Sequence, residues 1–245
     1  MLLNIKKAYR FFKFYNGPFF SWNKAKLNSF GYDNKKLLDH IFQNAKKAKK
    51  LRIFEKDGFV KKKFDINKNL KEIIKNLNKK KINVIDFGGG FATLYFQFHE
   101  YLQKFNWHIV EQENVCVLAK NFLTHERNLF YYSDLVKIKT DVDIIIFSSS
   151  IQYIQEFSDI IIKAKALRPK YIIFLKTPIN KTPFNLIFVQ RIPGKIYEGS
   201  YPSWAFSSDC INDILRLDYN LIIKEKVEPK LFFVNHYDFF YELVV

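Results

Sequence analysis

The stretch VIDFGGGFATLYF, Val84–Phe96, decides how the rest of the chain is read. An apolar run closes on Asp86 and Phe87, and Gly88, Gly89 and Gly90 follow in a chain with only eight glycines. Glycine reaches positive φ without strain and lacks the Cβ that would block a close neighbour. Three in a row predict a sharp turn between a strand over 82–87 and a helix over 92–104.

Outward from this turn the same alternation continues. Short apolar runs at 82–87, 107–112, 129–132, 143–148 and 171–176 alternate with amphipathic segments such as 114–124 and 157–167. Strands alternating with helices predict a parallel sheet covered on both faces, whose buried strands read as near-continuous apolar runs. The last two strand-like runs, 219–228 and 236–245, have no helix between them and so predict an antiparallel hairpin. Five helix-linked strands closed by such a hairpin are the order of a class I methyltransferase: an α/β, Rossmann-like fold with a mostly parallel seven-stranded sheet. Residues 1–81 are lysine-rich. Leu37, Leu38, Ile41, Phe42 and Ala45 stand at helical spacing, as do Leu70, Ile73, Ile74 and Leu77. These features predict a helical N-terminal extension over 1–81 and a main domain over 82–245, with a long irregular insert at 177–218.

Composition narrows the function. The formal charge is +16, but only six of the 40 basic residues are arginines, at positions 10, 52, 127, 168, 191 and 216. Arginine is the residue that reads phosphate and guanine at two points. Its scarcity argues against a specific nucleic-acid partner. No apolar run reaches the ~18–20 residues of a membrane span. Lys6, Lys7, Arg10 and Lys13 break the apolar character expected of a secretory signal, so a cytoplasmic home is expected, with weak membrane-surface contact left open. Cys116 and Cys210 have neither disulfide nor metal spacing, and the five histidines are scattered. No metal is expected.

The turn itself selects among nucleotide ligands. Gly88 and Gly90 are followed by Thr93 where the dinucleotide fingerprint has its third glycine. Asp86, just before the turn, repels phosphate and suits a cationic ligand. S-adenosylmethionine, with its sulfonium and ammonium, is the expected cofactor. Glu111, at the end of the second strand, is placed to accept hydrogen bonds from both ribose hydroxyls, and Gln112 follows it. Asp134 is expected at the adenine amino group. Ser148 and Ser149 are expected beneath the methyl donor, with Gln152 and Tyr153 near the transfer point.

The chain also resembles a family of bacterial proteins assigned as methyltransferases and often encoded near surface-polysaccharide and lipopolysaccharide genes. The resemblance is carried by SW with FGYD (21–33), FEKDGF (54–59), VIDFGGG, WHIVEQ, SSSIQYI, KTP (176–178), VQRIP (189–193) and YEGSYPSWAFS (197–207). It covers most of the chain from about Trp22 to Phe206. Lys56 and Lys176 stand where the family usually has arginine. The resemblance implies a methyltransferase. The reading expected for this chain is O-methylation, from S-adenosylmethionine, of a small anionic or sugar-type precursor of a surface glycan.

On the acceptor side, the insert carries Tyr197, Tyr201 and Trp204 with Gln190, Arg191 and Lys195, and Lys176 precedes it. These residues are expected to form a proline-stiffened acceptor lid. No general base is identified. Two other readings stay open: an RNA or nucleic-acid methyltransferase or binding protein, and a non-catalytic partner with a methyltransferase fold.

Overall fold

The computed structural model describes residues 2–30, 35–51, 54–56, 59–61, 66–98, 104–192 and 199–244. Its elements run α1 (Leu2–Phe14), β1 (Tyr15–Phe19), α2 (Trp22–Leu27), α3 (Lys35–Leu51), β2 (Phe54–Lys56), β3 (Phe59–Lys61), α4 (Lys68–Asn76), β4 (Ile82–Phe87) and α5 (Thr93–Gln97). They continue with β5 (Phe105–Val110), α6 (Glu113–Phe122), β6 (Leu129–Tyr132), β7 (Ile144–Ser148), α7 (Phe157–Ala166), β8 (Tyr171–Asn180), β9 (Leu186–Arg191), β10 (Ser200–Ala205), α8 (Cys210–Leu215), β11 (Tyr219–Lys230) and β12 (Val234–Leu243). Seven strands form one sheet in the order β11-β12-β8-β7-β4-β5-β6. The α/β class, the mostly parallel sheet and the closing antiparallel hairpin agree with the sequence pattern. The chain divides into two compact units, one continuous (Leu38–Ile145) and one discontinuous (Met1–Leu37 with Ile146–Val245).

In the continuous unit, β4 pairs in parallel with β5, and β5 with β6. Val84, Ile85, Phe105, Trp107 and Ile109 are fully buried there. Helix α4 buries Leu70, Ile73 and Ile74, and starts where the Asn67 side chain accepts the Leu70 N–H at 3.0 Å. That contact satisfies one of the orphan donors of a helix N-terminus. Asp143, buried before β7, accepts the Asn83 N–H at 2.9 Å and pairs with Lys79. His108 is 6% exposed, stacked on Phe130 and tilted against Tyr132. Both its ring nitrogens are buried without a hydrogen-bond partner among the described residues.

In the discontinuous unit, β12 pairs antiparallel with both β8 and β11. The β8–β12 register slips beside Lys176, which takes φ +55° and donates its backbone N–H to Asp238 at 2.7 Å. The insert expected to be irregular over 177–218 is largely ordered. β8 runs on to Asn180, β9 and β10 follow, and α8 ends at Leu215. β9 is the centre of a three-stranded antiparallel sheet, β1-β9-β10. Pro18 lies in β1 and Pro202 in β10, the two edge strands, where a missing N–H breaks no central ladder. Phe11, Tyr15, Phe188, Ala205, Leu231 and Val234 pack into one core cluster. The sheet escaped notice in the sequence because β1 is about 170 residues from its partner. The helix expected over 92–104 is described only as the short α5, and 99–103 lie outside the described residues. The N-terminal segment expected to be helical also holds β1 and the β2–β3 pair.

Candidate functional site

The three glycines of the turn are there for different reasons. Gly88 has φ +74° and donates its N–H to the Val110 carbonyl at 2.8 Å, tying the turn to the end of β5. Gly89 is required by the protein's own acid: a Cβ on it would stand 2.6 Å from Asp86 Oδ2. Gly90 has φ +54°, and a Cβ there would meet nothing within 4 Å. Of Gly89 and Gly90, only Gly90 therefore borders open space among the described residues. Its carbonyl accepts the Tyr131 hydroxyl at 3.0 Å.

Asp86 is 1% exposed, folded beneath Gly89, with Trp107 Nε1 donating to Oδ2 at 3.4 Å. Glu111 lies one residue past β5. Its backbone N–H donates to the Tyr132 carbonyl at 2.9 Å, and its carboxylate accepts the Gln112 N–H at 2.7 Å. Burial pushes the Glu111 pKa up, while the N–H groups of Gln112 and Gly90 pull it back. The Tyr131 phenol is raised well above its usual range, by burial first and then by the charges of Asp86 and Glu111. Two carboxylates thus lie near Tyr131, with Asp86 buried beneath Gly89 and Glu111 half-buried beside Gly90. Negative charge gathered beside the turn favours a ligand that donates hydrogen bonds or carries positive charge. Gln112 is exposed at the start of α6 and makes no side-chain cap. Asp134 caps the 3-10 turn 135–137, accepting the Val136 N–H at 3.1 Å.

In the discontinuous unit, Ser148 closes β7 and Ser149 takes φ +57°, donating its N–H to the Leu175 carbonyl at 2.9 Å. The next turn brings several expected acceptor residues together. Tyr153 donates its hydroxyl to Gln190 Oε1 at 3.0 Å, and its ring meets that of Tyr201 edge to face at 4.7 Å. Gln190 pairs across the sheet with Tyr15 on one side and Tyr201 on the other. Tyr15, missed in the sequence, is buried there. Burial and then the Tyr153 phenol push its pKa far up. Its only signal in the sequence is the aromatic density of residues 11–20.

The lid aromatics are engaged in packing. Tyr201 is buried. Trp204 stacks on Trp22 at 5.5 Å, meets Phe157 edge to face at 5.4 Å and donates Nε1 to the Ile154 carbonyl at 3.0 Å. Lys176 is exposed at the register slip. Tyr197 and Lys195 lie outside the described residues. Gln152 is 3% exposed and its Oε1 has no hydrogen-bond partner among the described residues. Ser150 Oγ and Thr177 Oγ1 share that condition, and neither was singled out from sequence. Among the described residues no group of His, Cys, Asp and Glu could hold a metal ion, and no helix is long and apolar enough to cross a membrane.

No family model and no curated protein matches the chain. Solved structures do match in shape. The N-terminal domain of EvdMO1 with SAH bound aligns at a TM-score of 0.52 and 10% identity, covering 82% of this chain and 96% of that one. The glycopeptide N-methyltransferase MtfA complexed with S-adenosylmethionine aligns at 0.51 and 10% identity, covering 72% and 93%. An S-adenosylmethionine-dependent methyltransferase from Clostridium acetobutylicum ATCC 824 aligns at 0.50 and 13%, covering 74% and 94%. At such identities the likeness speaks for the fold, and the chain carries the class I methyltransferase fold.

Proposed function

We propose that the protein is an S-adenosylmethionine-dependent methyltransferase acting on a small sugar-type or anionic precursor of a bacterial surface glycan, by O-methylation. The observation that carries the cofactor assignment is Glu111. Its carboxylate is held by the Gln112 and Gly90 N–H groups at the edge of the glycine turn. A carboxylate so placed accepts hydrogen bonds from a ribose diol. The side chains of Asp86 and Glu111 gather negative charge beside the turn, which opposes a pyrophosphate and fits a cationic ligand. Gly90 leaves backbone accessible to it. The sugar-type acceptor rests on the resemblance to the surface-glycan family. It is supported by the EvdMO1 N-terminal domain, which was crystallised in the presence of SAH and D-fucose and aligns at a TM-score of 0.51.

S-adenosylmethionine bound there supplies an electrophilic methyl on a positively charged sulfur. The chain's own residues bind and orient. Glu111 holds the ribose and so fixes the direction of the nucleoside. Positioning donor and acceptor at contact distance is itself a large share of such a reaction's acceleration. A hydroxyl acceptor releases its proton on transfer, whereas a phosphate or carboxylate acceptor has none to lose.

Calorimetry tests the reading. S-adenosylmethionine and its demethylated product are expected to bind at micromolar Kd. Glu111→Ala should weaken both by about 1.5–3 kcal/mol per charge-assisted hydrogen bond lost. Binding of NAD in their place, or unchanged affinity in Glu111→Ala, would overturn it.

A further inference from the structure

Helix α1 turns an aromatic face away from the protein. Phe11 fixes its rotation: the ring is 3% exposed, stacked on Tyr15 at 5.2 Å and edge to face with Phe188 of β9 at 5.5 Å. At about 100° per residue, Tyr9 and Phe12 lie roughly 160° and 100° round the helix from Phe11, three positions apart and so neighbours on its outer surface. Tyr9 is 72% exposed and Phe12 64%. Apolar side chains scattered singly need no partner, but large rings side by side in water mark an interaction surface. The exposed Arg10 and Lys13 lie along one side of the pair, and the helix sequence also holds Lys6 and Lys7. No acid of the segment offsets them: the first Asp or Glu of the chain is Asp33. The turn between β11 and β12 packs on the same helix, with Phe233 6.1 Å from Phe11. There the neighbouring Phe232 is exposed too, and Lys181 Nζ stands 5.5 Å from its ring centre.

The chemistry of this face selects its occupant. Aromatic rings and basic side chains on one short helix suit an anionic lipid surface: the rings enter the boundary between headgroups and acyl chains, and the cations stay among the phosphates. A nucleic acid is a poorer match. Bases stack on aromatics set in a charged groove, whereas this is the convex face of a helix with one arginine. With its 13 residues α1 is about 20 Å long, so it can lie on a bilayer but not cross the ~30 Å apolar core. We propose that the outward face of α1, through Tyr9, Arg10, Phe12 and Lys13, docks the protein on a membrane surface rich in anionic phospholipid. The docking stands apart from the methyltransferase reading and from the identity of the acceptor.

Vesicle flotation of the full chain tests this, with vesicles of phosphatidylcholine alone and of phosphatidylcholine with an equal part of phosphatidylglycerol. The chain is expected to float with the mixed vesicles, far less with the neutral ones, and to be released as salt is raised. Tyr9→Ser with Phe12→Ser, and separately Arg10→Glu with Lys13→Glu, should each lower the partition coefficient by about tenfold or more. Both double variants should melt near the parent temperature, since the four side chains are exposed. Lys163→Glu with Lys226→Glu, at exposed positions on α7 and β11, makes the same change in net charge and should lower the partition far less. Phe12→Trp, read against the parent chain, should show emission that moves to the blue when mixed vesicles are added, as a ring does on leaving water. No flotation with the mixed vesicles, equal partition in the serine variant, equal losses in the two charge-reversed variants, or a poly(U) oligonucleotide bound in place of the vesicles would overturn the docking face.

Discussion

Asp86 and Gly89 are mutually required: the Asp86 carboxylate occupies the space that a side chain at 89 would need, coming within 2.6 Å of the absent Cβ. Overpacking of this kind costs about 1–3 kcal/mol. Gly89→Ala is therefore expected to lower the melting temperature, and Asp86→Ala in the same chain to recover part of that loss. A double-mutant cycle of thermal melts measures the coupling. Strictly additive losses would show that the two residues do not constrain each other.

Cofactor affinity should depend on pH through Glu111. Its folded pKa is raised, by burial foremost. The ionised carboxylate is the form that accepts two ribose hydrogen bonds, so affinity should weaken as pH falls, starting above the range of an ordinary glutamate. Calorimetry from pH 8 downward checks this. The same shift has the opposite effect on folding: an acid with a raised folded pKa holds its proton more tightly when folded, so protonating it on the way down in pH stabilises the chain. Loss of affinity without loss of melting temperature is the expected pairing, and Glu111→Gln should flatten the affinity profile.

His108 predicts a loss of stability at lower pH. Burial between Phe130 and Tyr132 lowers its pKa from 6.5 to about 4. The unfolded chain therefore takes up the proton first. Stability should fall as pH drops from about 6.5 towards 4 and then level off. At 1.36 kcal/mol per unit, discounted for the part of the ring that water reaches, the loss is about 1–3 kcal/mol. Denaturant titrations at pH 7 and 4.5 measure it. His108→Phe should remove this contribution, and an unchanged pH dependence in that variant would exclude His108 as its source.

Trp204 holds the turn after Tyr153 by its Nε1 contact to Ile154 and its stack on Trp22. Trp204→Ala should cost about 3–5 kcal/mol, as large aromatic truncations do. Trp204→Phe keeps an aromatic face and loses one hydrogen bond, about 1 kcal/mol. Neither should change cofactor affinity in the folded fraction. Near-parental melting of Trp204→Ala would return this ring to the role of an acceptor lid.

What the sequence by itself determined is mostly local. Ile82–Phe87 and Leu129–Tyr132 are strands with the limits the apolar runs suggest, because buried parallel strands need little besides continuous apolar character. The glycine triplet marked a turn for the same reason: positive φ at Gly88 and Gly90 is a backbone requirement written into residue type. Glu111, expected inside a run over 107–112, lies one residue past β5, which ends at Val110. Tertiary structure alone decided what depends on partners far along the chain. Asp86 fills the space over Gly89, and the turn's middle glycine answers to that carboxylate. Tyr15 and Tyr201 reach Gln190 only because β1 and β10 flank β9. Whether an oxygen such as Gln152 Oε1 is satisfied is a property of every segment packed around it, and pairing between distant segments leaves no periodic trace in the order of residues.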